Sequence, residues 1–116
     1  MKTHHDLNVW KNSIELVKSI YTLTRNFPEY EKYGLCSQMQ RAAVSVPSNI
    51  AEGAARNYKK EFIQFLYYSY GSLSELETQL ILSLDLGYIN DNSKQIDQID
   101  KIQKMLSGLI KHLKNK

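Results

Sequence analysis

Arg41-Ala-Ala-Val-Ser-Val-Pro-Ser-Asn-Ile-Ala-Glu-Gly53 lies near the middle of a 116-residue chain, and its reading decides the fold. The stretch has helical spacing, yet it contains a proline. Pro47 has no N–H to donate to the carbonyl of Ala43, and its ring crowds that carbonyl, a defect of about 3 kcal/mol in a helix interior. Leu35, Met39, Ala42, Val46, Ile50 and Gly53 nevertheless form one apolar line on both sides of it. The spacing predicts a helix that kinks at Pro47 and continues. A break at Pro47, with Asn49 as a new N-cap and Glu52 completing a capping-box-like pair, is the alternative. Ser48 or a side chain from a neighbouring helix is the expected donor to the Ala43 carbonyl. Ala42, Ala43, Ala51 and Ala54 are small enough for another helix to approach closely.

Three more helices follow from the same periodicity. Leu7, Trp10, Ile14, Val17 and Tyr21 predict an inward face for a first helix over about 6–26, with Asp6 as N-cap and Pro28 marking its end. The proline-bearing helix spans about 33–55. Phe62, Leu66, Ser69, Leu73, Leu76, Leu80 and Leu84 give a third over about 58–86, roughly 43 Å long at 1.5 Å per residue. Gly87 is placed to end it, with Tyr88 folding back on the last turn. Ile96, Ile99, Leu106, Leu109, Ile110 and Leu113 give a fourth over about 93–114. Asn92 and Gln95 resemble a capping box at its start, and Asp97–Lys101 and Asp100–Lys104 are favourable i,i+4 pairs. Short connections make neighbours antiparallel. The expected fold is all-α, a single up-down four-helix bundle spanning residues 1–116.

Composition agrees with a soluble, core-forming chain: 42% hydrophobic and 23% charged residues, with five glycines and two prolines. One cysteine, Cys36, excludes an intramolecular disulfide. The polar opening Met1-Lys-Thr-His-His-Asp6 is unlike a signal peptide. No apolar run approaches the length of a membrane span. A cytoplasmic location with no membrane partner is the expectation. Net charge is +3, too mild to point to nucleic acid by itself. From Lys101 to Lys116 there are five lysines and no acid. Such a tail attracts phosphate and also suits the negative end of a helix.

Three surface features are candidates for function. Ile63, Tyr67, Tyr70, Ile81 and Tyr88 make a second apolar stripe on the third helix, roughly 100° from its core line. Tyrosine favours interfaces, so the stripe is a candidate surface for homo-oligomer formation. Gln38, Arg41, Ser45, Asn49, Glu52 and Arg56 share one face of the second helix. That face is open to three readings: a solvated surface, a ligand groove, or a structural polar network of Arg41, Ser45, Asn49 and Glu52 that sets register. Arg56, Lys59 and Lys60 cluster where the third helix starts, an end that already favours anions. Together with Arg41 they are the candidate contacts to RNA or DNA, expected to be sequence-blind and salt-sensitive.

Recognisable catalytic chemistry is missing. Glu52, Glu61, Glu75 and Glu77 do not make a di-iron bundle site, which needs Glu-x-x-His on two helices. His4, His5 and His112 are not so placed. Cys36 reads as a small packed residue at a helix start, not a nucleophile. Ser45 and Ser48 have no base suggested by the sequence, and no Gly-rich phosphate loop exists. The sequence points to no enzyme, metal or cofactor.

Four blocks carry a family resemblance: Asp6-Leu-Asn-Val-Trp10, the proline stretch from Arg41 to Gly53, Lys60-Glu-Phe-Ile-Gln-Phe-Leu66 and Gly71-Ser-Leu-Ser-Glu-Leu-Glu-Thr-Gln-Leu80. In this order they resemble the bacterial four helix bundle proteins encoded by intervening sequences in 23S rRNA genes. The resemblance implies a left-handed up-down bundle assembled as a homopentamer. It also implies kinship with the accessory protein of diversity-generating retroelements, a basic barrel thought to engage nucleic acid and reverse transcriptase. Many relatives resemble Arg-Arg where this chain has Gln40-Arg41, one cation fewer. The resulting expectation is a non-enzymatic, self-assembling bundle whose basic residues engage RNA or DNA backbone. The alternative is an oligomeric adaptor for a protein partner.

Overall fold

The computed structural model describes residues 3–116 and is built from four helices: α1 (Asn8–Thr24), α2 (Leu35–Ala54), α3 (Lys59–Asp85) and α4 (Ser93–Lys114). Short 3-10 turns occupy His4–Asp6 and Glu29–Glu31. Each helix packs against two neighbours in the cyclic order α1, α2, α3, α4, and the diagonal pairs do not meet. The result is an up-down antiparallel bundle, 46 Å along its longest axis. This matches the long third helix read from the sequence.

The interior is a continuous cluster in which Leu16, Ile20, Met39, Val46, Ile50, Leu66, Leu73, Leu76, Leu80, Ile99 and Leu106 are fully buried. For α2 and α3 the expected lines largely hold. Met39, Ala42, Val46, Ile50 and Gly53 are buried on α2, and Leu35 is half-buried. On α3 the line is buried from Phe62 to Leu80, but Leu84 is exposed in the last turns beside Ile81, Leu82 and Leu86. In α4, Ile99, Leu106 and Ile110 are buried as expected, Ile102 joins them, and Ile96, Leu109 and Leu113 lie at the margin.

The inward face of α1 is not the expected one. Val9, Ser13, Leu16, Ile20 and Thr24 are buried, whereas Leu7, Trp10, Ile14 and Val17 are half-buried and Tyr21 is exposed. Two hydroxyl residues occupy core positions and disguise the true line. Each bonds back to its own helix, Ser13 Oγ to the Trp10 carbonyl at 2.7 Å and Thr24 Oγ1 to the Ile20 carbonyl at 2.9 Å. A hydroxyl satisfied in this way can be buried without an orphaned donor.

Helix α2 runs unbroken through Pro47, so the expected alternative of a break with an N-cap at Asn49 does not occur. Hydroxyl and amide groups crowd the neighbouring carbonyls. Ser48 Oγ donates to Val44 at 2.8 Å, not to Ala43 as expected, and Asn49 Nδ2 donates to Ser45 at 2.8 Å. Ser69 Oγ reaches across from α3 to the Val46 carbonyl at 2.8 Å, in a buried position. The α2–α3 seam is the most extensive, and Gly53 explains its closeness. A Cβ there would lie 2.7 Å from Phe65 Cβ and 3.1 Å from Phe62 Cδ1.

All four seams carry side-chain hydrogen bonds. Gln40 Nε2 donates to Thr24 Oγ1 (3.1 Å), Ser69 Oγ to the Val46 carbonyl (2.8 Å), Gln103 Nε2 to Ser74 Oγ (3.2 Å) and Gln95 Nε2 to Ser19 Oγ (2.9 Å). Gln95 is therefore turned inward and does not close a capping box with Asn92. The start of α4 is held by Asp91, whose Oδ1 accepts the Ser93 N–H at 2.9 Å. That bond keeps the Asp91 carboxyl below its usual range. Of the two expected ion pairs on α4, Asp100–Lys104 forms at 2.9 Å and Asp97–Lys101 does not.

Helix ends also differ in detail. Helix α1 begins behind Leu7, which makes no side-chain cap bond. The expected cap, Asp6, lies in the preceding turn, and its side chain is outside the described residues. Helix α3 ends as expected. Gly87 has φ +80°, with Tyr88 N–H to the Ser83 carbonyl (2.9 Å) and Gly87 N–H to the Leu84 carbonyl (3.0 Å), a Schellman arrangement.

Candidate functional site

The antiparallel order brings the α2–α3 link, the start of α1 and the end of α4 to one end of the bundle. Arg56, Lys59 and Lys60 are all exposed there. Arg56 is engaged locally: its guanidinium lies 3.4 Å from Glu52 and 3.9 Å from Glu61, and 4.9 Å from the centre of the Phe65 ring. Lys59 Nζ donates to the Lys116 backbone oxygen at 2.8 Å. This contact joins the basic start of α3 to the lysine-rich end of α4. Lys111, Lys114 and Lys116 therefore extend a patch of which the local sequence shows only half. The start of α3 has no side-chain cap bond from Tyr58, so the first N–H groups still point toward this patch.

Arg41 is not part of this patch. It sits thirteen positions before Ala54, the last residue of α2, and so about 20 Å from the end of the helix that Arg56 follows, at 1.5 Å per residue. The four expected nucleic-acid contacts thus fall into a cluster of three and one outlier.

The α3 stripe is also divided. Tyr67 is 49% and Ile81 48% exposed, while Ile63 and Tyr70 are half-buried against the core. Tyr88 leaves the stripe entirely. It turns to the opposite end of the bundle, where its ring packs 5.4 Å from Phe27 and its hydroxyl donates to Glu31 Oε2 at 2.8 Å. Its side chain is thus spent on a contact at the other end of the bundle. Between α3 and α4, a groove of about 420 Å³ is lined by Tyr67, Tyr70, Ile110, Lys111 and Lys114. Lys114 Nζ donates to the Tyr67 hydroxyl at 2.9 Å.

The side-chain bonds of Ser45, Asn49 and Glu52, members of the expected α2 network, stay local and do not cross to another helix of the bundle. Ser45 Oγ bonds the Ala42 carbonyl (2.7 Å), Asn49 bonds Ser45, and Glu52 pairs with Arg56, all within or at the end of α2. The helices are tied instead by Gln40, Ser69, Gln95 and Gln103. Of these, only Ser69 left a visible signal, as a polar residue in an apolar line. Arg41 borders a second groove, about 500 Å³ between α2 and α3, with Gln38, Glu75, Thr78, Gln79 and Leu82.

Among the described residues, no group of three His, Cys, Asp or Glu side chains could hold a metal ion. No described helix is long and apolar enough to cross a membrane. Cys36 is half-buried at the start of α2, with Sγ 3.3 Å from the Thr24 carbonyl.

Residues 5–108 match the family described as 23S rRNA-intervening sequence protein. The chain belongs to this family. A crystal structure of a protein of unknown function from the S23 ribosomal protein family of Bacteroides thetaiotaomicron VPI-5482 superimposes with a TM-score of 0.81. It shares 24% identity over 89% of this chain and 95% of that one, which establishes the common fold. No curated protein matches the chain. The family match covers all four sequence blocks that suggested it.

Proposed function

We propose that this intervening sequence protein is a non-enzymatic, cytoplasmic helical bundle that self-assembles and holds RNA or DNA backbone at its basic end. The observation that carries the nucleic-acid reading is the Lys59–Lys116 contact at 2.8 Å. It gathers Arg56, Lys59, Lys60, Lys111, Lys114 and Lys116 around one end, opposed there by Glu52 and Glu61. Cations spread along two distant segments would act singly. Cations gathered around one helix end act on the same stretch of phosphates. Arg41 is left out of this role by its distance.

Self-assembly is supported by Tyr67 and Ile81, large apolar side chains about half exposed on one stripe of α3 with Ile63 and Tyr70 between and beside them. The family resemblance makes a homopentamer the expected stoichiometry. Anisotropy titration of a generic single-stranded RNA tests the first part. With about four phosphates neutralised, affinity falls roughly 50-fold between about 50 and 200 mM salt. An absence of binding at the lower salt removes the nucleic-acid role. Light scattering tests the second part, and a protomer mass of 13.5 kDa would remove self-assembly.

The adaptor reading has its own support at the opposite end, where Tyr30, Tyr33 and Leu86 are highly exposed. It becomes the better account if the protein assembles but ignores RNA and DNA at low salt.

A further inference from the structure

Exposed tyrosines stand at both ends of the bundle, but in different company. Tyr30 and Tyr33, at the end away from the basic patch, are 77% and 89% exposed and have Glu29, Glu31 and Lys32 beside them. Tyr58, in the α2–α3 link, is 69% exposed and takes no part in the core. Arg56, Lys59 and Lys60 lie within two positions of it, with no acid among them. Next to it, a cleft of about 300 Å³ is lined by Arg56, Lys60, Glu61, Gln64, Phe65 and Tyr68. The Tyr68 ring stands edge-on to Phe65, with 5.4 Å between centres, and Gln64 Nε2 donates to its hydroxyl at 2.9 Å. The Arg56 guanidinium lies over Phe65, 4.9 Å from the ring centre, and is held there by Glu52 and Glu61. An arginine fixed in this way offers a plane on which a base can stack, beyond its charge. Flat faces and cations thus alternate across this end.

We propose that the basic end selects single-stranded nucleic acid. One base stacks on Tyr58, another sits between Arg56 and Tyr68, and Lys59, Lys60 and Lys111 hold the phosphates. The proposal rests on the nucleic-acid role above and names the form of chain that role takes. Every base has a flat face, so stacking of this kind is blind to sequence. Bases in a duplex are already stacked and paired, and the rings gain nothing from them. Charge alone favours the opposite choice, since a duplex carries more charge per length and releases more counterions for each phosphate neutralised. A preference for single strands therefore reports the rings and not the lysines. Tyr58 precedes α3 and Arg56 follows α2, so neither belongs to the α3 stripe proposed for self-assembly.

Anisotropy titrations with a single-stranded RNA and an RNA duplex of equal length test this, at about 100 mM salt. The single strand is expected to bind at least about tenfold tighter. Tyr58→Ala and Tyr68→Ala should each weaken it by about fivefold to a hundredfold, the worth of one stacked base. The salt slope should stay the same, because neither change removes a phosphate contact. Tyr58→Trp should bind as tightly as the wild type, and Tyr33→Ala should change nothing. Duplex binding should be the same in all four variants. Tyr58→Ala decides the matter even if Tyr68→Ala disturbs assembly. Failure of both RNAs to bind overturns the nucleic-acid role, and this inference with it. A duplex bound as tightly as the single strand, or a Tyr58→Ala protein that holds the single strand as the wild type does, overturns the stacking alone and leaves the basic end standing. Equal loss of single strand and duplex in Tyr58→Ala makes Tyr58 a structural residue and overturns the stacking as well.

Discussion

The two ends of this bundle are made of opposite materials. At the end formed by the α1–α2 and α3–α4 connections, polar groups face one another. Glu31 accepts the Leu35 N–H at 3.0 Å and the Tyr88 hydroxyl at 2.8 Å, while Thr24 receives Cys36 and Gln40. Phe27 and Tyr88 close the apolar side. At the other end, Arg56, Lys59, Lys60, Lys111, Lys114 and Lys116 lie on the surface and face few acids. The first end consumes its hydrogen-bonding capacity in holding helices together. The second ties Arg56, Lys59 and Lys114 only at the surface, where their charges stay exposed to something outside the chain. Conserving a bundle's shape and presenting a charged surface are thus assigned to different ends of the same four helices.

Charge reversal gives the largest expected contrast between them. Lys59→Glu, Lys60→Glu and Lys111→Glu together should weaken RNA binding at least about 100-fold at about 50 mM salt. The salt slope should become shallower by about 2. Lys32→Glu, at the clasped end, should change affinity less than about twofold. Equal losses in the two proteins would mean that RNA responds to net charge and not to a basic end.

Next in size is the fit of α2 against α3 where they reach the basic end. Gly53→Ala places a methyl group 2.7 Å from Phe65 Cβ, a position that only movement of the α2–α3 seam can relieve. Overpacking of this kind costs about 1–3 kcal/mol, measurable by urea unfolding. An unchanged midpoint would show that the seam is looser than its geometry.

How much of this could be read from the sequence depended on how local the cause was. Helix α3 was legible from its leucines, and its end from Gly87, because periodicity and a left-handed glycine act over a few residues. Helix α1 was misread by a rotation of about 100°, because Ser13 and Thr24 take core positions and conceal their hydroxyls in their own backbone. Lys59 and Lys60 were visible as neighbours, but their union with Lys111 and Lys114 needed the antiparallel return of α4. The clasp was beyond local reading altogether, since Glu31 and Tyr88 lie 57 residues apart. The tyrosine that completes it looked like part of a surface stripe. Gln79 was equally concealed: its Oε1 is buried without a donor, a property of packing, not of spacing.

The clasp should respond to pH, with an effect of a few degrees in melting temperature. The Leu35 N–H and then the Tyr88 hydroxyl hold the Glu31 carboxyl below its ordinary value. A carboxylate depressed in the folded state stabilises fully above its unfolded pKa of about 4.3, and that contribution disappears as pH falls through the lower folded value. Tyr88 behaves in the opposite sense. The Tyr30 hydroxyl and then Glu31 push its phenol up, so its contribution is present below about pH 10 and is lost only above it. Between about pH 5 and 9 the clasp should therefore be constant. Glu31→Gln should lower the melting temperature across that range and flatten its fall below about pH 4.5. A variant that follows the wild-type curve throughout would assign the acid sensitivity to another carboxylate.

The smallest effect has the opposite sign and separates glycines that serve packing from those that do not. Gly71 and Gly108 sit inside α3 and α4, and a Cβ on either would meet nothing within 4 Å. Glycine in a helix interior costs about 0.5–1 kcal/mol relative to alanine, because the unfolded chain gives up more freedom. Gly71→Ala should therefore stabilise the isolated protomer by about that amount, while Gly53→Ala destabilises it. Gly71 also lies on the same helix as the stripe and the groove, so the protomer and the assembly need not respond alike. A gain in protomer stability, measured in a Tyr67→Glu, Ile81→Glu background that spoils the stripe, should persist as a gain in the assembled wild type if Gly71 faces open space there too. Loss of the gain only in the assembled protein would mean that a neighbouring copy approaches α3 at Gly71, on the face that Glu75, Thr78 and Leu82 share.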